Sequence, residues 1–192
     1  MLLEGRFVRL EPLAFSQSGS LCEVGLDPGV WQWMPVKVGS RDGMHQFIGE
    51  ALEEQQRGKA IPFAIIHRDS GRVVGSTRFG NVEPAHRRVE IGWTWIAKPW
   101  QRTAVNTEAK LLLLRHAFEV RGDLRVEFKT DALNERSRHA ILRLGAREEG
   151  TLRQHIICSD GRVRDTVYFS MLADEWPAVK LRLGARLGFP PA

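Results

Sequence analysis

Residues 99–121, PWQRTAVNTEAKLLLLRHAFEVR, decide the fold. The second half of this stretch places apolar residues over a wide arc, which is typical of a helix lying flat on a sheet. The preceding run, VEIGWTWI over residues 89–96, predicts a strand. A strand, a loop of small and polar residues and a helix N-terminus therefore follow one another. Because the first amides of a helix have no partner within it and carry partial positive charge, we expect residues 102–107 to bind an anion.

The loop alone does not identify the anion. It lacks the Gly-Lys-Ser/Thr ending of a P-loop, and the chain has no G-x-G-x-x-G dinucleotide fingerprint. A nucleotide and coenzyme A both remain open at this point.

Composition indicates an ordinary globular protein. With 192 residues, 43% hydrophobic and 27% charged, the chain has the size of one domain, which we expect to span residues 1–192. The first residues lack a secretory signal and no stretch is apolar enough to span a bilayer, so we expect a cytoplasmic protein without a membrane partner. Cys22 and Cys158 stand alone, which predicts neither a disulfide nor a metal site.

The net charge of +5 admits an acidic partner. The arginines are spread along the chain without aromatic interleaving or a recognition-helix pattern, so we expect no nucleic-acid partner. A phosphorylated small molecule fits this charge equally well.

Hydrophobic periodicity and turn residues predict an α+β domain with about seven mostly antiparallel strands. Helical patterns cover residues 13–26, 40–58 and 134–144, besides the central helix and a last helix from residue 174, and residues 30–35 are expected to form an aromatic loop. The predicted strands are residues 6–12, 61–67, 72–79, 87–96, 124–130, 148–158 and 163–172.

Three stretches carry a resemblance to a known family over nearly the whole chain. They are QRTAVNTEA at 101–109, NERS at 134–137 with LGA at 144–146, and EGTLR at 149–153 with Asp160-Gly161 and Arg164-Asp165. Together they resemble the GCN5-related N-acetyltransferases (GNAT), specifically the RimJ/RimL-type ribosomal-protein alanine acetyltransferases. The resemblance implies a GNAT fold, in which helices flank a mixed sheet and two splayed strands form an acyl-CoA cleft.

The resemblance also implies how acetyl-CoA is held. In the family, a loop of pattern Gln/Arg-x-x-Gly-x-Gly/Ala cradles the pyrophosphate, and here that frame reads Gln101-x-x-Ala104-x-Asn106. Asn134 matches the family asparagine that binds the cofactor arm, and this is the role the family pattern favours. The alternative is that it only caps its own helix, and both roles can hold together. The implied cofactor-binding residues are Trp95, Ile96, Gln101, Arg102, Thr103, Ala104, Val105, Asn106, Thr107, Asn134 and Ser137.

Acetyl transfer requires a neutral amine, and Glu90 is the best candidate for the general base, acting through a water. The alternative is that Glu90 only pairs across strands with Arg87 or Arg88. Many relatives use a tyrosine as the acid, but the single tyrosine, Tyr168, lies in a late strand, which leaves solvent or Ser137 for that role.

The leading functional hypothesis is an acetyl-CoA-dependent N-acetyltransferase that acts by direct attack of a primary amine, a protein N-terminus being one candidate. Trp31, Trp33 and Glu90 are the predicted acceptor-site residues. The alternatives are a small-amine (polyamine or antibiotic) acetyltransferase, a transferase of longer acyl groups and a non-catalytic CoA-binding module. Relatives of this kind are often dimers, so the resemblance implies a homodimer.

Overall fold

The structure is a computed structural model that describes residues 1–189. Its strands are β1 (Leu3–Glu4), β2 (Val8–Pro12), β3 (Ile61–His67), β4 (Val73–Glu83), β5 (Arg88–Ile96), β6 (Arg125–Asp131), β7 (Arg147–Ile157) and β8 (Val163–Leu172). Its helices are α1 (Ser18–Gly25), α2 (Pro28–Trp31), α3 (Arg41–Gln56), α4 (Ala104–Arg115), α5 (Glu135–Leu144) and α6 (Trp176–Arg186). A π-helical turn, His116–Val120, extends α4.

The strands form one eight-stranded sheet in the order β1-β2-β3-β4-β5-β6-β8-β7. Strands β5 and β6 are parallel, and the other neighbouring pairs of the described sheet are antiparallel. The predicted mixed, mostly antiparallel fold is therefore confirmed. The strand beyond the expected seven is β1, which has only two residues. The predicted domain extent, 1–192, includes residues 190–192, which lie outside the described range.

Helices cover both faces of the sheet. On one face α4 and α6 pack on residues such as Val126 and Phe128 of β6, and this side forms the larger core cluster. On the other face α1, α2 and α3 enclose a second cluster that includes Phe47 and Trp95. Because the strands are covered on both sides over much of the sheet, buried strands such as β3 are apolar along most of their length.

Local sequence signals explain where two helices begin. The Ser40 side chain accepts a hydrogen bond from the Gly43 amide and caps α3, as the sequence predicts. Asn134 caps α5 in the same way, through the Ser137 amide at 3.1 Å. In the described part of the chain, no helix is both long and apolar enough to cross a membrane.

A buried carboxylate fixes α4 to the first strands. Glu108, which is 1% exposed, accepts hydrogen bonds from the backbone amides of Arg6, Phe7 and Val8 at 2.6–2.7 Å. Gly5 allows this approach, because a Cβ atom there would lie 2.4 Å from the Glu108 carboxyl carbon. The central helix is thus held at a fixed position below the sheet.

Strands β5 and β6 separate to form a V. Their last paired residues are Glu90 and Glu127, beyond which β5 follows β4 and β6 follows β8. A bulge in β5 lies just past this point, where Trp93 takes a left-handed backbone conformation with φ of 49°. Bulges re-aim strands and are common beside active sites. The splayed pair expected from the sequence is present.

Candidate active site

The open end of the V is a cleft of about 940 Å³. Its walls come from β5, the loop before α4, the N-terminal half of α4, β6, α5, one residue of β8 and the end of α6, together with Val30, Trp33 and Met34. None of the described Asp or Glu side chains lines it. The charged lining side chains are Arg102, Lys110, Lys129, Arg136, Arg143, Arg164 and Arg186. This composition suits a polyanionic ligand.

The N-terminus of α4 opens into the cleft. Thr103 is its N-cap and accepts a hydrogen bond from the Val105 amide at 3.3 Å. Arg102 turns the chain into the helix with φ of 62° and lines the cleft beside Ala104. The Asn106 Oδ1 atom is buried without a hydrogen-bond partner among the described residues. An acceptor oxygen does not suit a phosphate, so the free amides of the helix, and not this side chain, are the groups that fit an anion here.

Gln101 ties the end of β5 to α5. Its Nε2 donates to the Ile96 carbonyl at 2.7 Å, and its Oε1 accepts from the Arg136 guanidinium at 2.9 Å. This bond uses one of the two acceptor positions of the Ile96 carbonyl. The contact also places Arg136 beside the α4 N-terminus, where both point positive charge into the cleft.

Asn134 performs the capping role and keeps a free donor. Its Oδ1 accepts from Ser137, whereas its Nδ2 makes no hydrogen bond within residues 1–189. Asn134 and Ser137 both line the cleft. The two roles weighed for Asn134 use different atoms and are compatible.

Glu90 lies at the apex of the V in a buried polar network. Its Oε2 accepts from Asn81 Nδ2 at 2.7 Å and contacts Lys129 Nζ at 2.8 Å, so it pairs with neither Arg87 nor Arg88. Burial acts to lower the pKa of Lys129, but the Glu90 carboxylate and Tyr168 together outweigh it and the net effect raises that pKa. Glu90 Oε1 lies against Gly92, which lines the cleft.

The two tryptophans predicted for the acceptor pocket lie in different places, one in the core and one in the cleft wall. Trp31 is 1% exposed, donates its indole N–H to the Gly25 carbonyl and packs on Trp95, so it belongs to the core and does not wall the cleft. Trp33 lines the cleft and lies 5.5 Å from the Arg162 guanidinium. Val105 is likewise buried in the core, and its amide already donates to the Thr103 hydroxyl.

Residues 33–37 and the turn between β7 and β8 form an arch. The segment 33–37 reaches the β7–β8 turn, where the Ser159 amide donates to the Pro35 carbonyl and Lys37 pairs with Asp160. Below this arch lie the side chains of β5, β6 and β8. Through Trp33 and Met34 the arch contributes to the cleft wall.

Two buried cations in the cleft were not singled out as site residues from the sequence. Burial lowers the pKa of Lys110 to about 7, and its Nζ contacts the Thr94 hydroxyl at 2.5 Å. Burial also lowers the pKa of Arg164, which is 5% exposed. The sequence signal for Lys110 was a charged residue on the buried face of α4. The signal for Arg164 was an arginine within a mostly buried strand.

Comparison with known proteins identifies the class that this fold and cleft define. The family model described as an acetyltransferase (GNAT) domain matches residues 8–147. The chain therefore belongs to the GNAT family, which confirms the resemblance noted in the sequence.

Individual relatives agree. A solved structure from T. thermophilus, provisionally described as an acetyltransferase, is 39% identical with a TM-score of 0.88, and the match covers 97% of this chain and 96% of that one. Mycobacterium smegmatis RimJ in complex with CoA-disulfide is 25% identical with a TM-score of 0.78 over 93% and 88% of the two chains. Bacillus subtilis (strain 168) YdaF, provisionally named a ribosomal N-acetyltransferase, is 34% identical over 110 residues, which are 57% of this chain and 59% of YdaF.

Proposed function

We propose that this protein transfers an acetyl group from acetyl-CoA to a primary amine, with a protein N-terminal amine as the leading acceptor. The observation that carries the proposal is the V-shaped cleft, which has the amides and cations of the α4 N-terminus in its wall and Glu90 directly behind the lining residue Gly92. The GNAT family match and the names of the RimJ and YdaF relatives support it.

The residues of the cleft fit coenzyme A. The α4 amides, Arg102 and Arg136 are placed to hold its phosphates, and charge-assisted contacts of this kind are the stronger hydrogen bonds. Asn134 has a free Nδ2 to offer an acceptor atom of the pantetheine arm. When bound, acetyl-CoA supplies an activated acyl carbonyl and a thiolate leaving group.

The site must also remove a proton from the acceptor amine. An α-amine has a pKa near 8 and a lysine side chain one near 10.4, so an N-terminal amine needs less assistance. Glu90 is held rigidly by Asn81 and Lys129, and its Oε1 faces Gly92 at the cleft wall. From there it accepts the amine proton through a water as the nitrogen attacks the acyl carbon.

The test is an acetylation assay read by mass spectrometry, with N-terminal peptides and small amines as acceptors. We expect Glu90→Gln to lower kcat by roughly 100-fold or more, the usual contribution of a general base, with acetyl-CoA affinity retained. Glu53→Gln, on the exposed face of α3, is the matched control and should keep full activity.

A structural role for Glu90 is separated by a second variant. Glu90→Gln leaves the partly buried Lys129 with only Glu127, 4.0 Å away, as a partner, which by itself destabilises the fold. Glu90→Gln combined with Lys129→Gln removes both charges, so a purely structural defect should recover and a catalytic one should not. Recovery of the rate in this double variant would contradict the assignment of Glu90 as base.

A further inference from the structure

Arg164 is a buried cation without a dedicated partner. It lies on β8, is 5% exposed and lines the cleft, yet its Nε is buried without an acceptor. Within residues 1–189 its guanidinium makes no side-chain hydrogen bond, and its nearest charge is Asp131 Oδ2 at 3.9 Å. Burying a guanidinium is costly unless the group is paired and hydrogen-bonded.

The Asp131 carboxylate has other partners on both of its oxygens. Its Oδ1 accepts from the Leu133 amide at 2.9 Å, and its Oδ2 is paired with the Arg162 guanidinium. Glu90 is similarly paired with Lys129. The other nearby carboxylate, Glu127, lies 4.0 Å from Lys129 and pairs with Arg88 and Arg125, so Arg164 is left without a carboxylate of its own.

Arg164 lies on the face of the sheet away from α4, which we take as the acceptor side. In β6, Lys129 and Asp131 lie opposite Tyr168 and Thr166 of β8, and the alternate residues Val126 and Phe128 face the α4 core. Side chains alternate between faces along a strand, so Arg164 shares the face of Asp131 and points away from α4. The candidate phosphate ligands Arg102 and Arg136 belong to the loop and helix at the α4 N-terminus.

We propose that the acceptor amine also carries a carboxylate, which Arg164 binds. This inference rests on the proposed function and narrows its substrate class. The planar guanidinium matches a carboxylate in a two-hydrogen-bond arrangement, and such a ligand would supply both the missing charge and the missing acceptors. The carboxylate belongs either to an acidic side chain beside the reacting N-terminus or to the terminal carboxylate of a short peptide or amino acid.

Matched acceptors distinguish these sources. The first pair is alanyl-aspartate and alanyl-asparagine, both with amidated C-termini, and the second is glycylglycine and its amide. Each pair presents the same α-amine with and without a carboxylate. We expect the carboxylate member of at least one pair to have a kcat/KM roughly 10- to 100-fold higher, the range typical of a charged hydrogen bond.

Variants of Arg164 then test its role directly. Arg164→Gln should remove the preference by raising KM for the carboxylate member, and Arg164→Lys should retain part of it. Arg153→Gln, on the exposed strand β7, removes a positive charge outside the cleft and should keep the preference. The Lys variant keeps the charge, so the assignment stays testable if the Gln variant folds poorly.

The outcomes separate the inference from the proposed function. Equal rates within both pairs, or a preference that survives in Arg164→Gln, would overturn the inference while acetyl transfer stands. Wild-type protein that binds acetyl-CoA by calorimetry but acetylates neither carboxylate member would also overturn it. Absence of acetyl-CoA binding would instead refute the proposed function, and the inference with it.

Discussion

The pKa of Lys110 provides a quantitative test of whether water reaches the buried end of the cleft. Its Nζ contacts the hydroxyls of Thr94 and Thr77, and no carboxylate pairs with it in the described residues. Burial lowers its pKa to about 7, against about 10.4 for lysine in solution. Since one pKa unit corresponds to 1.36 kcal/mol, keeping Lys110 protonated in the fold costs about 4–5 kcal/mol relative to the unfolded chain.

The pH dependence of stability follows from this difference. Between pH 7 and about 10.4 the unfolded chain binds more protons at Lys110 than the folded chain does, so this group makes stability rise with pH. The penalty is fully present below pH 7 and is relieved as the pH approaches the unfolded pKa. Between pH 6 and pH 9 the wild type should gain about 2–3 kcal/mol of unfolding free energy relative to Lys110→Met.

Urea denaturation followed by circular dichroism at pH 6, 7, 8 and 9 measures this gain. The lost hydrogen bonds to the threonines shift the Lys110→Met curve by a nearly constant amount, so only the slope of the difference with pH carries the test. Lys59→Met, an exposed lysine, is the control and should leave that slope unchanged over this range. Parallel pH profiles for wild type and Lys110→Met would refute the reasoning, because they would mean that water reaches the ammonium.

Three further predictions follow from close contacts. Glu108→Gln should lower the unfolding free energy by about 2–4 kcal/mol, because a neutral amide replaces the carboxylate that accepts hydrogen bonds from three backbone amides at the start of β2. An unchanged urea midpoint would contradict this. Gly80→Ala should lower the unfolding free energy by about 1–3 kcal/mol through overpacking, since the new methyl carbon would lie 2.2 Å from the Trp93 ring. The value of kcat/KM should also fall, because the β5 bulge shifts. Full stability together with full activity would contradict this prediction. Asn106→Gly should leave acetyl-CoA affinity equal or higher in calorimetry, whereas a clear loss would identify the side chain as a ligand.

Sequence patterns predicted the elements that depend on local chemistry. The Ser40 and Asn134 caps, the hairpin of β3 and β4 and the strand-loop-helix arrangement before α4 all follow from signals within a few residues. The same signals located the loop that lines the cleft. The strand missing from the prediction, β1, is too short to show any periodicity.

Features set by tertiary packing could not be read in this way. The partner of Glu90 is Lys129 because β5 and β6 run side by side, and no local pattern gives that register. Trp31 was expected at the pocket because aromatic residues in a loop can face either way, and its burial depends on the packing of Trp95. Arg164 becomes distinctive only when the fold shows that Asp131 is already satisfied.

The central claim is that the cleft binds acetyl-CoA, and isothermal titration calorimetry tests it most directly. Wild-type protein should bind with a Kd on the order of micromolar. Asn134→Ser keeps an oxygen to cap α5 but removes the free Nδ2, so it should bind about tenfold more weakly at unchanged thermal stability. Micromolar binding that weakens in this variant is the predicted result. No measurable heat of binding for the wild type would contradict the account.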